Sequence, residues 1–334
     1  MGAKKPRAGT DHQGAAVADP TPESWPHVEG VRHRFVDIPG LRMHVAEAGD
    51  GPPLLLLHGF PQHWWAWRRV IPGLAAHYRV ICPDLRGSGW TDAPPDGYTS
   101  ARLVDDIVAL LDALQLERVD VMGYDSGGIV GYRLCLWHPE RVGRHVNFAT
   151  PHPYAAFHPR ILLNLWRLWP MFAIAALGLG ARLLGRGGQR LPRWLMTSDT
   201  SDPAVFPPDV VEQYVARLRD PARARAGSRL YRDLILGEGR ESMAGAYLAT
   251  PLRTPTLTMY GAVLYDNDPA PGEHPEVLDG YQGHADDFTL EHVPGFGYYL
   301  AEEQPEVLVA RALEFLGAPK GRWLRRARAV RVAS

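Results

Sequence analysis

Val119-Asp120-Val121-Met122-Gly123-Tyr124-Asp125-Ser126-Gly127-Gly128 reads as a buried strand that turns sharply into a helix. Glycines at 123, 127 and 128 flank a single acidic side chain. They allow close backbone approach while the residue at the tip is held in a strained conformation. Counted from Gly123, the third residue of the turn is Asp125. Taking Ser126 as the tip instead would put the bulky Tyr124 where a small residue is needed. Asp125 as a plain helix cap is the other alternative. A carboxylate is already ionised at neutral pH, so at this tip it can attack an electrophilic carbon without a base and form an ester. Hydrolysing that ester is the half of the reaction that needs a base.

The same alternation extends outward from this segment. Arg34–Ile38 and Leu41–Glu47 read as a hairpin, and Leu54–His58 and Arg79–Pro83 as short buried strands ending in turn residues. Leu103, Ile107, Leu110, Leu111 and Leu114 give Ala101–Leu116 the spacing of an amphipathic helix, and Ser126–His138 is the helix leaving the turn. Strand and helix in alternation predict an α/β fold, with a mostly parallel sheet and helices on both faces. From 151 to 250 the chain is helix-like, aromatic and Arg-rich, without a clear strand. The strand–helix pattern then returns at Pro255–Tyr260, Phe288–Val293 and Glu306–Leu316. The expected organisation is a disordered leader (1–27), a core (28–150 and 251–318), a helical cap (151–250) and a basic tail (319–334).

A chain of 334 residues with 46% hydrophobic and 22% charged residues has ordinary globular composition, and a net charge of −1 argues against a nucleic-acid or membrane-surface role. Cys82 and Cys135 lie in apolar stretches and read as buried thiols. The N-terminus lacks the apolar segment of a secretory signal, and the most apolar stretch, Trp169 to Gly180, is too short to span a bilayer, so a cytoplasmic protein is expected. The histidines are scattered without metal-ligand spacing, and neither cofactor nor metal is implied. A small-molecule substrate is the expected partner, with a homodimer possible.

Residues 53–148 resemble the epoxide hydrolase and haloalkane dehalogenase branch of the α/β-hydrolases. The resemblance is carried by His58-Gly59-Phe60-Pro61 with Trp64, Trp67 and Arg68, by Pro83-Asp84-Leu85-Arg86-Gly87-Ser88-Gly89, by the Asp125 turn, and by His138-Pro139-Glu140-Arg141-Val142. It implies an α/β-hydrolase fold with an inserted helical cap. It also implies Asp125 as nucleophile, with the backbone N–H groups of Phe60 and Ser126 as the oxyanion hole. Members acting on halides or haloacids carry Trp or Arg after the nucleophile. Ser126 supplies neither group, which favours an epoxide. Tyr231, in Leu230-Tyr231-Arg232-Asp233, matches a cap tyrosine that donates a proton to the epoxide oxygen. A second such tyrosine would fall at Pro170, where Trp169 is the candidate replacement donor. His58, Pro61, Trp64, His152 and Trp169 are expected against the substrate.

Two positions depart from that pattern. The family's catalytic histidine falls on Tyr298, in a register fixed by Gly297 and Glu303-Gln304-Pro305. The acid position, counted from Gly261, falls on Leu264, and an insertion of two residues would restore Asp266, with Asp268 beyond it. A phenol with a pKa of about 10 is a poor base at neutral pH. His284 and His292 are the histidines near enough in sequence to substitute. The expected function is an epoxide-hydrolase-like enzyme for an apolar, aromatic or polycyclic epoxide. The alternatives are a non-hydrolytic cyclase or epoxide-opening enzyme of secondary metabolism, a ligand-binding pseudoenzyme, and a substitution placed at 298 to trap an intermediate.

Overall fold

Leu54, Leu55, Leu56 and Leu57 are all fully buried, which requires a strand covered on both faces. In the computed structural model, which describes residues 25–155, 168–261 and 278–317, they form strand β3 (Pro53–Leu57) near the middle of an eight-stranded sheet. The other strands are β1 (Arg32–Ile38), β2 (Leu41–Ala48), β4 (Arg79–Pro83), β5 (Val119–Tyr124), β6 (Val142–Phe148), β7 (Thr256–Tyr260) and β8 (Phe288–His292). Their order is β1-β2-β4-β3-β5-β6-β7-β8; β2 runs antiparallel to both its neighbours and every other pairing is parallel. Side chains alternate across a strand. Leu55 and Leu57 accordingly join a cluster with helices α2 (Ser100–Ala113) and α3 (Asp125–Trp137). Leu54 and Leu56 join a second cluster with α1 (Ile71–Ala75) and the C-terminal α11 (Pro305–Leu316). This is the α/β-hydrolase architecture.

The strand order reverses between β3 and β5. In an open parallel sheet, the crevice beyond the carboxyl ends of such strands is where ligands bind. The loop after β3 and the turn after β5 both open there.

Three differences from the sequence expectation are local. Strand β6 was not expected because Gly143, Arg144, His145 and Asn147 break its apolar pattern, yet His145 and Asn147 are fully buried in the sheet. Helix α2 stops earlier than its periodicity suggests, as Gln115 takes a left-handed conformation with φ 57°. Before α11, residues Leu300–Glu303 form a further helical turn, α10.

Between β6 and β7 the described chain is helical: α4 (Trp169–Ala175), α5 (Leu179–Gly185), α6 (Arg190–Ser198), α7 (Pro208–Val215), α8 (Pro221–Leu230) and α9 (Leu236–Met243). A π turn at Tyr231–Ile235 joins α8 to α9. Most of the leader, the whole tail 319–334, and Leu264, Asp266 and Asp268 lie outside the described residues. Among the described residues, no helix is long and apolar enough to cross a membrane.

Candidate active site

Asp125 has φ 53°, a left-handed conformation that non-glycine residues adopt at a cost. Neighbouring glycines make it possible. A Cβ on Gly127 would lie 2.2 Å from the carbonyl oxygen of Leu57, and one on Gly59 would lie 2.5 Å from Cβ of Asp125. The first turn of α3 is therefore pressed against the end of β3, and the loop after β3 passes directly over the carboxylate.

Both carboxylate oxygens are engaged. The backbone N–H of Phe60 donates to Oδ1 at 2.8 Å, and the Tyr298 hydroxyl donates to Oδ2 at 2.5 Å. Burial first, and then the charge of Asp125, push the Tyr298 phenol well above its ordinary pKa. It is a proton donor across the accessible pH range. Thr150 Oγ1 donates to the carbonyl oxygen of Asp125 at 3.2 Å, bracing the turn from the end of β6. Ser126 is buried in the first turn of α3, where backbone N–H groups lack intrahelical acceptors and the helix dipole is positive. Across from these groups, the Tyr231 ring meets the Phe60 ring edge-on, with centroids 5.2 Å apart. Its phenol is also raised well above normal, by burial and then by Asp125. Tyr231 opens the π turn, a helix irregularity frequent at functional sites.

The loop carrying Tyr298 is held by one side chain that sequence reasoning used only to fix the register. Glu303 Oε1 accepts the Tyr299 N–H at 2.9 Å, while Oε2 accepts the N–H groups of Gly297 at 2.9 Å and Ser201 at 2.8 Å, together with the Ser201 hydroxyl. It ties the Tyr298 loop to the segment after α6. Removing the carboxylate leaves the part-buried N–H groups of Gly297 and Tyr299 without their acceptor, so Glu303→Ala is expected to cost about 1–3 kcal/mol in urea denaturation. Glu303→Gln keeps one acceptor oxygen and should lose less.

Several residues expected against the substrate are held by contacts within the scaffold. His58 is 1% exposed: its Nε2 accepts the Leu85 N–H at 3.0 Å, which leaves Nδ1 to donate to the Gly59 carbonyl oxygen at 3.0 Å. Burial lowers its pKa, so the ring stays neutral and sets the course of the Gly59–Phe60 loop. Trp64 is fully buried with its ring against His33, and its backbone N–H donates to Asp84. His152 donates from Nε2 to the Leu278 carbonyl oxygen at 2.6 Å and packs against Tyr281 and Phe288. Trp169 is half exposed and lies against Trp194 on the outside of the cap, so it is not placed as a donor to a buried substrate. Pro61 follows Phe60 through a cis peptide bond and lines a narrow cavity between core and cap with Gly227 and Leu230. The cavity has about 10 Å³ of room, on the scale of one water molecule. The His284 ring stacks on Tyr154, and the His292 ring packs beside Tyr260.

An eight-stranded α/β sheet with a strained acidic residue at its strand-to-helix turn, beneath inserted helices, defines the class as an α/β hydrolase. The family model described as alpha/beta hydrolase fold matches residues 52–267, and the chain belongs to that family. The soluble epoxide hydrolase of Corynebacterium sp. (strain C12) is 30% identical over 297 residues, covering 85% of this chain and 97% of that protein. Epoxide hydrolase 2 of Siraitia grosvenorii is 42% identical over 137 residues, and that match spans only 39% of this chain and 43% of the plant protein. Among solved structures, Cfl2 from Burkholderia cenocepacia superposes with a TM-score of 0.73 at 27% identity, covering 86% of this chain and 96% of that one. The epoxide hydrolase CorEH gives a TM-score of 0.73 at 28% identity, covering 86% and 99%. The chain is thus an epoxide-hydrolase-like α/β hydrolase.

Proposed function

We propose that this chain opens an apolar epoxide by attack of the Asp125 carboxylate and holds the product as an enzyme ester, because the group that would drive hydrolysis is a phenol. The observation carrying this reading is the pair of contacts on Asp125, a backbone donor on Oδ1 and the Tyr298 hydroxyl on Oδ2. In the first step a carboxylate oxygen bonds to a ring carbon, the C–O bond of the epoxide breaks, and the alkoxide takes a proton from Tyr231. The phenolate left on Tyr231 is reprotonated from water. In the second step water adds to the ester carbonyl, and the developing oxyanion falls to the Phe60 and Ser126 N–H groups. That addition needs a base to take the proton of the water, and a phenol raised far above its ordinary pKa cannot act as one.

Incubation with styrene oxide followed by intact-protein mass spectrometry tests the reading. A stable mass gain equal to the whole epoxide is expected, mapping to the peptide containing Asp125 and absent in Asp125→Ala. Steady diol release without an adduct would show that another group serves as base. With neither adduct nor diol, ring opening by Asp125 is ruled out. The Tyr298 proton facing Asp125 also favours a second reading, in which the substrate's own nucleophile opens the ring. Its signature is an isomer of unchanged mass and no diol.

A further inference from the structure

On the outer side of the cap, α4, α5 and α6 expose large apolar side chains that the core does not use. Trp169 is 50% exposed, Phe172 52%, Leu177 82%, Leu179 50% and Trp194 44%. They form one face. Trp169 and Phe172 are three residues apart on α4, and the Trp169 and Trp194 rings meet at 5.7 Å, joining α4 to α6. The opposite sides of the same helices are buried through Ile174, Leu184 and Met196.

The charged residues of this stretch of chain have a single sign. Between Glu140 and Asp199 the sequence contains no acidic residue, although the chain as a whole carries 37. Arg182 follows Leu179 by three residues on α5 and Arg190 precedes Trp194 by four on α6, so these exposed guanidiniums share helix faces with exposed apolar groups, and Arg186 is exposed in the extended residue that ends α5. Arg193 is set apart from them, pairing with Glu212 of α7. The near-neutral balance of the whole chain conceals this local excess.

We propose that the outer face of α4–α6 is a docking surface for an anionic lipid bilayer. Exposed tryptophan, phenylalanine and leucine interleaved with arginine is the chemistry of a surface that lies in the headgroup region, where aromatic rings anchor and guanidiniums meet phosphates. A second copy of the chain is a poorer occupant. Pairing this face with itself about a two-fold axis would bring arginines together, and α4, α5 and α6 themselves carry no carboxylate to offset them. A neutral bilayer leaves the arginines without counter-charge. The inference rests on this surface and is independent of the chemistry at Asp125.

Co-sedimentation of the full chain with vesicles of phosphatidylcholine, with and without phosphatidylglycerol, tests the proposal. Binding is expected to the anionic vesicles and not to phosphatidylcholine alone, weakening as salt rises. Trp169→Ser/Trp194→Ser is expected to lower the partition coefficient by about tenfold or more. Arg182→Glu/Arg186→Glu/Arg190→Glu should lower it on the order of a hundredfold. All these positions are exposed, so far-UV circular dichroism should be unchanged, and a variant that fails this check is replaced by its single substitutions. No binding to anionic vesicles at low salt overturns the proposal, as does equal binding to neutral ones. Binding that persists unchanged in both variants overturns it too, by placing the contact elsewhere on the chain, the basic tail included. If sedimentation velocity shows a dimer that the tryptophan variant dissolves, the face belongs to a second copy.

Discussion

Tyr298→His is expected to raise the rate of ester release from Asp125 by about 10²–10⁴-fold, the range that a positioned general base contributes. Two geometric facts support so large an effect. The side chain at 298 already reaches Asp125 Oδ2 at 2.5 Å, so the position faces the reacting group. An imidazole also ends short of where the phenol oxygen now lies, which leaves space for the attacking water between base and ester. The pH dependence has a definite sign. The introduced imidazole must be neutral to accept a proton, so release should rise as pH passes upward through its pKa, about 6.5 for an unperturbed imidazole. Ester formation removes the carboxylate charge that would otherwise hold the imidazole protonated, which favours the neutral form at pH 7. Burial, the largest cause of the raised Tyr298 phenol, persists in the ester although the Asp125 charge is gone, so no such rise is expected near neutrality in the unchanged chain. Single-turnover measurements with styrene oxide, following loss of the adduct and appearance of diol, give both rates. Tyr298→Phe is the control, since it removes the hydrogen bond without adding a base and should leave release slow. An adduct equally persistent in Tyr298→His would move the defect elsewhere, with the acid position at Leu264 the first place to look.

What could be read from the sequence was what local physics forces. Gly123, Gly127 and Gly128 announce the turn because no side chain fits there, and Leu54–Leu57 announce a central strand because every residue in the run is apolar. Strand β6 was hidden because buried polar side chains interrupt its apolar run: Asn147 Nδ2 donates to the Thr150 carbonyl oxygen after the strand ends, while among the described residues the His145 ring nitrogens meet no hydrogen-bond partner. Long-range partners likewise bear on the residues expected against the substrate. His58, Trp64 and His152 have the chemistry of substrate contacts, but their partners are Leu85, Asp84 and Leu278, brought near only by the completed sheet. Periodicity also cannot say which face of a cap helix meets the core, so Trp169 passed for an interior donor. Glu303 was in plain view inside its Glu-x-Pro segment. Its role depends on Ser201, about a hundred residues away in the sequence, and so was not legible.

Arg133→Met is expected to destabilise the fold by about 3–5 kcal/mol, the usual cost of breaking one side of a buried ion pair. Arg133 of α3 and Glu238 of α9 have side chains only 4% and 6% exposed. The guanidinium Nε donates to Glu238 Oε2 at 2.9 Å, and the Tyr247 hydroxyl, whose nearer acceptor is Glu241 Oε2 at 2.5 Å, lies 3.1 Å from the same Glu238 oxygen. The Tyr247 ring covers the guanidinium, with Cζ 3.4 Å from the ring centroid. Removing the arginine leaves a carboxylate in a water-poor site beside a hydroxyl that it shares with Glu241. If the loss comes from that stranded charge, Arg133→Met/Glu238→Leu should recover most of it, because two apolar groups of similar volume need no partner. Urea denaturation of the two variants separates the explanations: a double variant as unstable as the single one would assign the loss to packing against Tyr247. The pair also bears on the proposed reaction. Helix α3 begins at Asp125, and α9 continues directly from the π turn that begins at Tyr231, so Arg133 and Glu238 join the helix of the carboxylate to the helix of its candidate proton donor. In Arg133→Met, adduct formation with styrene oxide should therefore slow even where the chain is still folded, and the double variant should restore it.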